Sequence, residues 1–379
     1  MVRKVNLQTF NDFGENGSYA AAYTYDAENQ VTDMLSYGVN TNITYDALGR
    51  ISAVTIKKGD ETISEYDYEY MTGEVSGYNS ATGYLTQKTN SAPYVEYNSD
   101  GYIRKIVNSY SERTFMYTSS GRLASEIDTG ILSYSYNANN DILQVRSGTG
   151  SRTVVNEEYT YNKWGQLSSY RNVNGNKVYG FSYDAMGNST KYKNSTLNWK
   201  RGRLLSSGTQ KGNEFTYSYD DAGSRYEKVV NGTRTQYYYT GGQLLAEKRG
   251  SQAMIYYFYS IDGVAGMVYN NNYYFYEKNP LGDIIKIKNG NGNTAATYDY
   301  DAWGNIVYKS GAMADINPFR YRGYYYDNET GFYYLQTRHY DPEIRQFINA
   351  DNYELIPALI KRMQSGQRHK KTAVFRLFF

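Results

Sequence analysis

A phrase of about nine residues recurs roughly every twenty residues and constrains the fold of this chain more than any other feature. Its nine positions hold, in order, an aromatic residue, any residue, a tyrosine, an Asp or Asn, any two residues, a Gly or Asn, a polar residue and often an aliphatic residue. Clear copies are YTYDAENQV at 23–31, ITYDALGRI at 43–51, VEYNSDGYI at 95–103, FMYTSSGRL at 115–123, YSYNANNDI at 134–142, YTYNKWGQL at 159–167, FSYDAMGNS at 181–189, YSYDDAGSR at 217–225 and YDYDAWGNI at 298–306. A fixed period of this size indicates a repeat architecture.

Each copy of the phrase predicts a β-hairpin. Aromatic residues at i and i+2, such as Tyr298 and Tyr300, point to the same face of a strand. The Asp or Asn that follows can bond its own backbone two residues on and open a turn. The glycine three residues later accepts positive φ and closes a short hairpin with a bulge. The next aliphatic residue, such as Ile51 or Leu123, begins the return strand.

Single hairpins are marginal in water, so the units are expected to pair edge to edge into one long sheet. Equivalent tyrosines, such as Tyr97, Tyr117 and Tyr136, would then form ladders of rings on one face, each contact contributing roughly 0.5–1.5 kcal/mol beyond burial. Because tyrosine rather than leucine fills the stripe, we expect a face that is partly wet, with water serving the phenols. A structural ladder is favoured here over a binding platform.

Composition excludes several classes of protein. The 379 residues include 47 tyrosines and 35 glycines at a net charge of +2, which argues against disorder. No run reaches the roughly 18 apolar residues of a membrane helix, and the polar start shows no export signal. The chain has no cysteine, its two histidines are 30 residues apart, and it has no P-loop, GxSxG or HExxH motif. We therefore expect no cofactor, no metal and no specific nucleic-acid site.

The repeated phrase resembles the YD repeat of bacterial RHS proteins and of the wall-associated, teneurin-like YD-shell group. The resemblance is closest in NPFRYRGYYYDNETGFYYLQTRHYDPEIRQFINADNY at 317–353, which is similar to the RHS repeat-associated core. It divides the chain into a partial leading repeat at 1–19, YD repeats at 20–316, the core at 317–353 and a short basic tail at 354–379, expected to be poorly ordered.

The resemblance implies an all-β fold, a spiralling strip of about fourteen hairpins that forms a hollow shell, complete or incomplete. In this family the shell is a non-catalytic container for a C-terminal toxin used in competition between bacteria. A full-length relative would be secreted or attached to the cell wall. The tail carries six Lys or Arg and one Glu and is too short for a toxin domain, so we expect a truncated or toxin-less fragment.

Some members of the family release their cargo by aspartyl autoproteolysis near the end of the core. The acids at matching places are Asp341 and Asp351, and two acids that act together must share a site. The alternative is that Asp341 opens a turn and Asp351 caps a strand. The family motif has Gly-Arg before the Phe, whereas Arg345 and Gln346 stand here; a non-glycine residue in a left-handed turn costs roughly 1–2 kcal/mol.

Two further interpretations remain open from the sequence. Exposed tyrosines can stack on sugars, so a carbohydrate-binding module of the cell surface is an alternative function, with cell-wall carbohydrate as the partner. The arginines of the core, Arg320, Arg322 and Arg338, are expected to form ion pairs with Asp327 or Asp341 that lock the end of the sheet.

Overall fold

The computed structural model describes residues 5–6, 21–36, 39–70, 85–87, 94–98, 100–108, 111–148, 152–260 and 263–350. Within these ranges the chain forms 33 β-strands and one 3₁₀ turn, Tyr321–Gly323, and no α-helix. The all-β prediction is confirmed. The strands form three antiparallel sheets, and each strand pairs with its neighbours in the sequence.

The first sheet contains β1 (Val5–Asn6), β2 (Ala21–Tyr25), β3 (Val31–Ser36), β4 (Val39–Tyr45), β5 (Ile51–Lys58), β6 (Glu61–Tyr70) and β7 (Leu85–Gln87). The long sheet has 22 strands: β8 (Tyr94–Tyr97), β9 (Ile103–Val107), β10 (Glu112–Tyr117), β11 (Leu123–Ile127), β12 (Ile131–Tyr136), β13 (Ile142–Ser147), β14 (Val154–Tyr161), β15 (Leu167–Asn172), β16 (Lys177–Tyr183), β17 (Ser189–Tyr192), β18 (Ser195–Lys200), β19 (Leu204–Gln210), β20 (Asn213–Tyr219), β21 (Arg225–Val230), β22 (Thr233–Thr240), β23 (Gln243–Arg249), β24 (Ile255–Ser260), β25 (Gly263–Tyr269), β26 (Asn272–Lys278), β27 (Ile284–Asn289), β28 (Thr294–Tyr300) and β29 (Ile306–Ser310). The small sheet contains β30 (Tyr325–Asp327), β31 (Phe332–Tyr334), β32 (His339–Asp341) and β33 (Gln346–Phe347).

The predicted turn chemistry is confirmed in repeats whose turns the structure describes, and the turn between β4 and β5 illustrates it. The register shifts at Tyr45, which lies opposite Ile51, and this bulge recurs at the equivalent tyrosine of other repeats. One carboxylate oxygen of Asp46 accepts hydrogen bonds from two backbone amides farther along the turn, at 2.9 and 3.0 Å. Gly49 has φ +71°, so the left-handed position explains the glycine of the phrase.

In eight of the described repeats, the second tyrosine of the phrase links the repeat to the one before it. Its hydroxyl donates to the backbone carbonyl of the first or second residue of the preceding return strand, at 2.7–2.9 Å. We call this contact the rim clamp. It joins Tyr45 to Val31, Tyr117 to Ile103, Tyr136 to Leu123, Tyr161 to Ile142, Tyr183 to Leu167, Tyr219 to Leu205, Tyr259 to Leu244 and Tyr300 to Ile284. These phenols are therefore satisfied by protein carbonyls, not by water as the composition predicted.

The long sheet is not a closed barrel; it curls so that its beginning meets its end. Val95 and Phe115 belong to the same buried apolar cluster as Trp303, about two hundred residues away, and as Phe332 of the small sheet. The first sheet packs through its own apolar residues on β24–β26. The fold therefore brings the last forty described residues against the inner face of the curled long sheet, which we call the strip.

Candidate functional site: the seam between the strip and the core segment

Residues 311–350, here called the core segment, lie buried against the long sheet. Phe332, Tyr333 and Ile344 have no exposed surface, and Phe332 and Ile344 belong to the apolar cluster of the strip. A chain segment at this position must satisfy its polar groups internally, because little water reaches it. The seam accordingly contains buried tyrosines and ion pairs that join the core segment to the strip.

The last repeat turn, residues 301–305, is held by three tyrosines of the core segment. Tyr321 donates its hydroxyl to the carbonyl of Ala302 at 2.9 Å, Tyr333 to that of Gly304 at 2.9 Å, and Tyr340 to that of Trp303 at 3.0 Å. In most repeats the corresponding turn residues are exposed, as Trp164 is. The tyrosine-rich core motif therefore serves to cover this turn.

Arg225 and Lys228 of β21 bind two acids of the core segment. Arg225 donates two hydrogen bonds to the carboxylate of Asp327, at 2.7 and 2.9 Å, and both side chains are almost completely buried. Lys228 bridges Asp327 and Glu329 at 3.0 and 2.9 Å. Although burial opposes ionisation, the two cations lower the pKa of Asp327 to about 2. The pair is therefore fully ionised at neutral pH.

Four tyrosine rings surround the Arg225 guanidinium. Its central carbon lies 4.6 Å and 5.1 Å from the ring centres of Tyr217 and Tyr237 in the strip. It lies 5.4 Å and 4.3 Å from those of Tyr325 and Tyr334 in the core segment. Because the faces of aromatic rings attract cations, this cage attracts the arginine to rings on both sides of the seam.

His339 is buried beside this cage. Its ring stacks on Tyr217 with centres 6.1 Å apart and planes 15° apart, and it lies 5.2 Å from Tyr334. Burial, with the positive charge of Arg225, lowers the pKa of His339 to about 3. The imidazole is therefore neutral at physiological pH and acts as an aromatic packing residue.

Asp341, the first of the two predicted catalytic acids, is buried and fully engaged. Its Oδ2 accepts hydrogen bonds from the Tyr192 hydroxyl at 2.6 Å and from Lys193 Nζ at 3.0 Å. Its Oδ1 accepts the backbone amide of Glu343 at 2.8 Å, which is the turn-opening role that the sequence offered as the alternative. The second acid, Asp351, lies outside the described residues, so self-cleavage by the pair stays a prediction.

Arg345, at the place where the family motif has glycine, has φ +59° and therefore carries the expected left-handed strain. Its guanidinium forms an ion pair with Glu157 of β14 and a 2.7 Å hydrogen bond to the Tyr159 hydroxyl. The side chain is almost fully buried and packs 5.8 Å from the ring of Tyr134. These contacts, unavailable to glycine, offset the backbone cost.

The predicted ion pairs of the core arginines are wrong for Arg320 and Arg322. Arg320 donates to the side-chain oxygen of Asn328 at 2.9 Å and lies under the ring of Tyr326 at 4.5 Å. Arg322 lies 3.6 Å from Asp283. Arg338 stacks on the ring of Phe347, with its guanidinium 3.7 Å from the ring centre. The cations that bind Asp327 and Asp341 come instead from the strip.

Sequence reasoning missed Lys193, Arg225 and Lys228, because cations in a repeat ordinarily point to solvent. One signal was available for Arg225. It occupies the position in YSYDDAGSR where other copies of the phrase have a buried aliphatic residue, such as Leu123. A charged residue at an obligatorily buried position indicates a buried partner of opposite charge.

The charges of the seam are paired and buried, and they join the core segment to the strip. Across the described ranges, no group of three or more His, Asp or Glu side chains is arranged to hold a metal ion. No helix in that part of the chain is long and apolar enough to span a membrane.

Comparison with known proteins agrees with this architecture. The family model described as teneurin YD-shell matches residues 109–370, more than two thirds of the chain. The chain is 37% identical over 214 residues to the tRNA3(Ser)-specific nuclease WapA of Bacillus spizizenii, and 38% identical over 211 residues to the tRNA nuclease WapA of Bacillus subtilis. Each match covers 53% of this chain and 9% of the relative.

Among solved structures, the crystal structure of TcdB2-TccC3 is similar with a TM-score of 0.63 and 15% identity, over 90% of this chain and 21% of the other. This likeness concerns the fold alone. The repeated hairpins, the curled strip and the buried core segment, together with the family match, lead to one conclusion: this chain belongs to the teneurin YD-shell family.

Proposed function

We propose that this chain is part of a non-catalytic shell that encloses or presents a C-terminal toxin in a polymorphic-toxin system. A full-length protein of this kind would be secreted or attached to the cell wall. The observation that carries the proposal is the direction of burial: the segment that leads to the C-terminus lies against the inner face of the strip, fixed there by buried ion pairs.

The ion pairs support a container because of where their two halves come from. Arg225 and Lys193 belong to the repeats, whereas Asp327 and Asp341 belong to the core segment. Removing one partner of a buried pair leaves an uncompensated charge, so the strip and the core segment stabilise each other. Because the core segment is anchored to the strip in this way, a domain that follows the core segment is held close to the strip.

The names of relatives support a toxin as the cargo. Both WapA proteins are named as tRNA nucleases, and the present chain spans about a tenth of their length. The part that this chain shares with them belongs to the shell by family, so the nuclease activity is expected elsewhere in those proteins. We infer that the shell is the common part and that the cargo varies.

An attached ribonuclease domain tests the proposal. The domain is fused after residue 379, and its activity is measured on a dinucleotide and on a large structured RNA. An enclosed domain cleaves the dinucleotide normally but cleaves the large RNA at least tenfold more slowly than the same domain fused before residue 1. Equal cleavage of the large RNA by both fusions would refute enclosure.

A cleft of about 360 Å³ favours carbohydrate binding as a second candidate function. It lies at the turns of β25–β26 and β27–β28, where Tyr273, Tyr274 and several asparagines line it. Lys58 Nζ lies 4.7 Å from the ring centre of Tyr273. Among the described residues, neither tyrosine hydroxyl has a hydrogen-bond partner. The aromatic rings, side-chain amides and one cation together match a sugar that carries an acidic group.

Calorimetric titration with a uronic-acid disaccharide distinguishes this candidate. Binding in the millimolar range that weakens in both Tyr273→Ala and Lys58→Met supports it, with a neutral disaccharide as the matched ligand. If no heat of binding is detected at 10 mM ligand, or if binding is unchanged in both variants, carbohydrate binding at this cleft is contradicted.

A further inference from the structure

Two parts of the strip that are far apart in sequence meet at Glu126. Arg113 of β10 donates to Glu126 at 2.9 Å and lies 3.3 Å from Asp299 of β28. The backbone amide of Ala302 donates to the same Glu126 oxygen at 3.0 Å, across 176 residues of chain. Asn108 reaches Asp299 at 3.1 Å. These contacts close the curl of the long sheet, and we call them the closure node.

Acidic groups outnumber cations at the closure node. Glu126 and Asp299 are buried, Asp301 is partly buried, and the guanidinium of Arg113 is shared among three carboxylates, because Asp128 also lies 2.8 Å from it. The groups that face Glu126 from the elements packed around it are Arg113 on β10, Asp128 after β11, Tyr134 on β12, Asp299 and Asp301 at the end of β28, and Arg345 of the core segment near Asp301.

The node is packed and does not form an open binding site. The enclosed cavity beside Arg113 and Asp301 measures about 10 Å³, close to the space that a single water needs. The ring of Tyr134, whose hydroxyl lies 3.3 Å from Glu126, contacts Trp303 edge to face with centres 5.7 Å apart. A change in charge at Glu126 therefore acts directly on the turn that the core segment covers.

We propose that Glu126 is a proton-operated latch of the shell: the closure node tightens when Glu126 takes up a proton and loosens when Glu126 is ionised. Protonation removes one negative charge from the three carboxylates that share Arg113, and the guanidinium keeps its ion pairs with Asp128 and Asp299. The hydrogen bond from Ala302 to the Glu126 oxygen survives this change, because a carboxylic acid still accepts.

The direction of the pH response follows from the environment of Glu126. Burial, followed by repulsion from Asp301, raises the pKa of Glu126 to about 7, whereas Arg113 and the Ala302 amide oppose the rise. A carboxyl group whose pKa is higher in the closed state binds more protons there, so closure is favoured by acid and lost as the pH rises through about 7. In the open state Glu126 returns to its ordinary pKa of 4.5. Between pH 8 and pH 5.5, the equilibrium constant for opening should therefore fall about 30-fold.

Hydrogen exchange of the full chain tests the latch, because the Ala302 amide itself contacts Glu126. Protection factors, corrected for intrinsic exchange, are measured for peptides that cover residues 300–306 at pH 5.5 and pH 8. The wild-type chain should show about 30-fold more protection at pH 5.5. Glu126→Gln, which mimics the protonated group, should be strongly protected at both values and change less than threefold. Glu158→Gln, at an exposed ion pair with Arg171, serves as the matched control and keeps the wild-type response.

A second measurement on the unmodified chain remains decisive if Glu126→Gln does not fold. Glutamate labelled with ¹³C at the carboxyl carbon gives the titration midpoint of Glu126 directly, assigned as the resonance that is missing from the spectrum of Glu126→Asp. A midpoint between pH 6 and 8 supports the latch. A midpoint below pH 5, or an equal pH response in Glu126→Gln, would overturn it.

Discussion

Replacing Asp327 by asparagine removes the charge that two buried cations of the strip share. The Asp327 carboxylate accepts two hydrogen bonds from Arg225 and one from Lys228, and the side chain has no exposed surface. Its pKa falls from 3.8 to about 2, which corresponds to about 2–3 kcal/mol of stabilisation at neutral pH. Breaking a buried pair by removing one partner costs about 3–5 kcal/mol. We therefore expect Asp327→Asn to lower the free energy of unfolding by about 3 kcal/mol at pH 7.

Urea denaturation followed by tryptophan fluorescence measures this loss. The sign of the pH dependence supplies a second check: a depressed pKa stabilises the fold above about pH 4, and this stabilisation is lost as the pH falls toward 2. The variant should therefore lose less stability than wild type over that range. Asp221→Asn, at the exposed pair with Arg201, is the matched control and should leave the denaturation midpoint unchanged. Equal midpoints for Asp327→Asn and Asp221→Asn at pH 7 would refute the reasoning.

Three further predictions test other parts of the fold. Tyr219→Phe removes one rim clamp and leaves the Leu205 carbonyl without its donor, so unfolding should become easier by about 1–2 kcal/mol, whereas Tyr226→Phe at an exposed position should have no effect. Gly304→Ala places a Cβ 2.6 Å from the Tyr321 ring at φ +87° and should lower the melting temperature far more than Gly292→Ala, which has a similar φ and open space. The His339 ring should not titrate by NMR between pH 5 and 8, because it is neutral down to about pH 3; a midpoint near 6.5 would contradict its burial.

The repeat unit could be predicted in detail because its determinants are local. The Asp46 side chain bonds within its own turn, and Gly49 adopts the φ that its position requires. Sequence alone also identified the core motif. Such features need only a few neighbouring residues, so they are visible in a single copy of the phrase and are strengthened by repetition.

The contacts between repeats and across the seam could not be predicted in the same way. The rim clamp joins a tyrosine hydroxyl to a backbone carbonyl some fourteen residues earlier, and a carbonyl has no signature in the sequence. Arg225 and Asp327 lie 102 residues apart, so their pairing depends on how far the strip curls. The curvature is a sum over many small twists between strands, which residue types in one repeat do not determine.

The most direct test of the account is whether the core segment lies inside the strip. Arg320 and Arg345 are buried, whereas the side chain of Arg201, in a turn of the strip, is 53% exposed. In native buffer, trypsin should cut the full chain after Arg201 but not after Arg320 or Arg345 until urea unfolds the protein. Cleavage after Arg320 or Arg345 as fast as after Arg201 would contradict the claim that the strip surrounds the segment leading to the C-terminus.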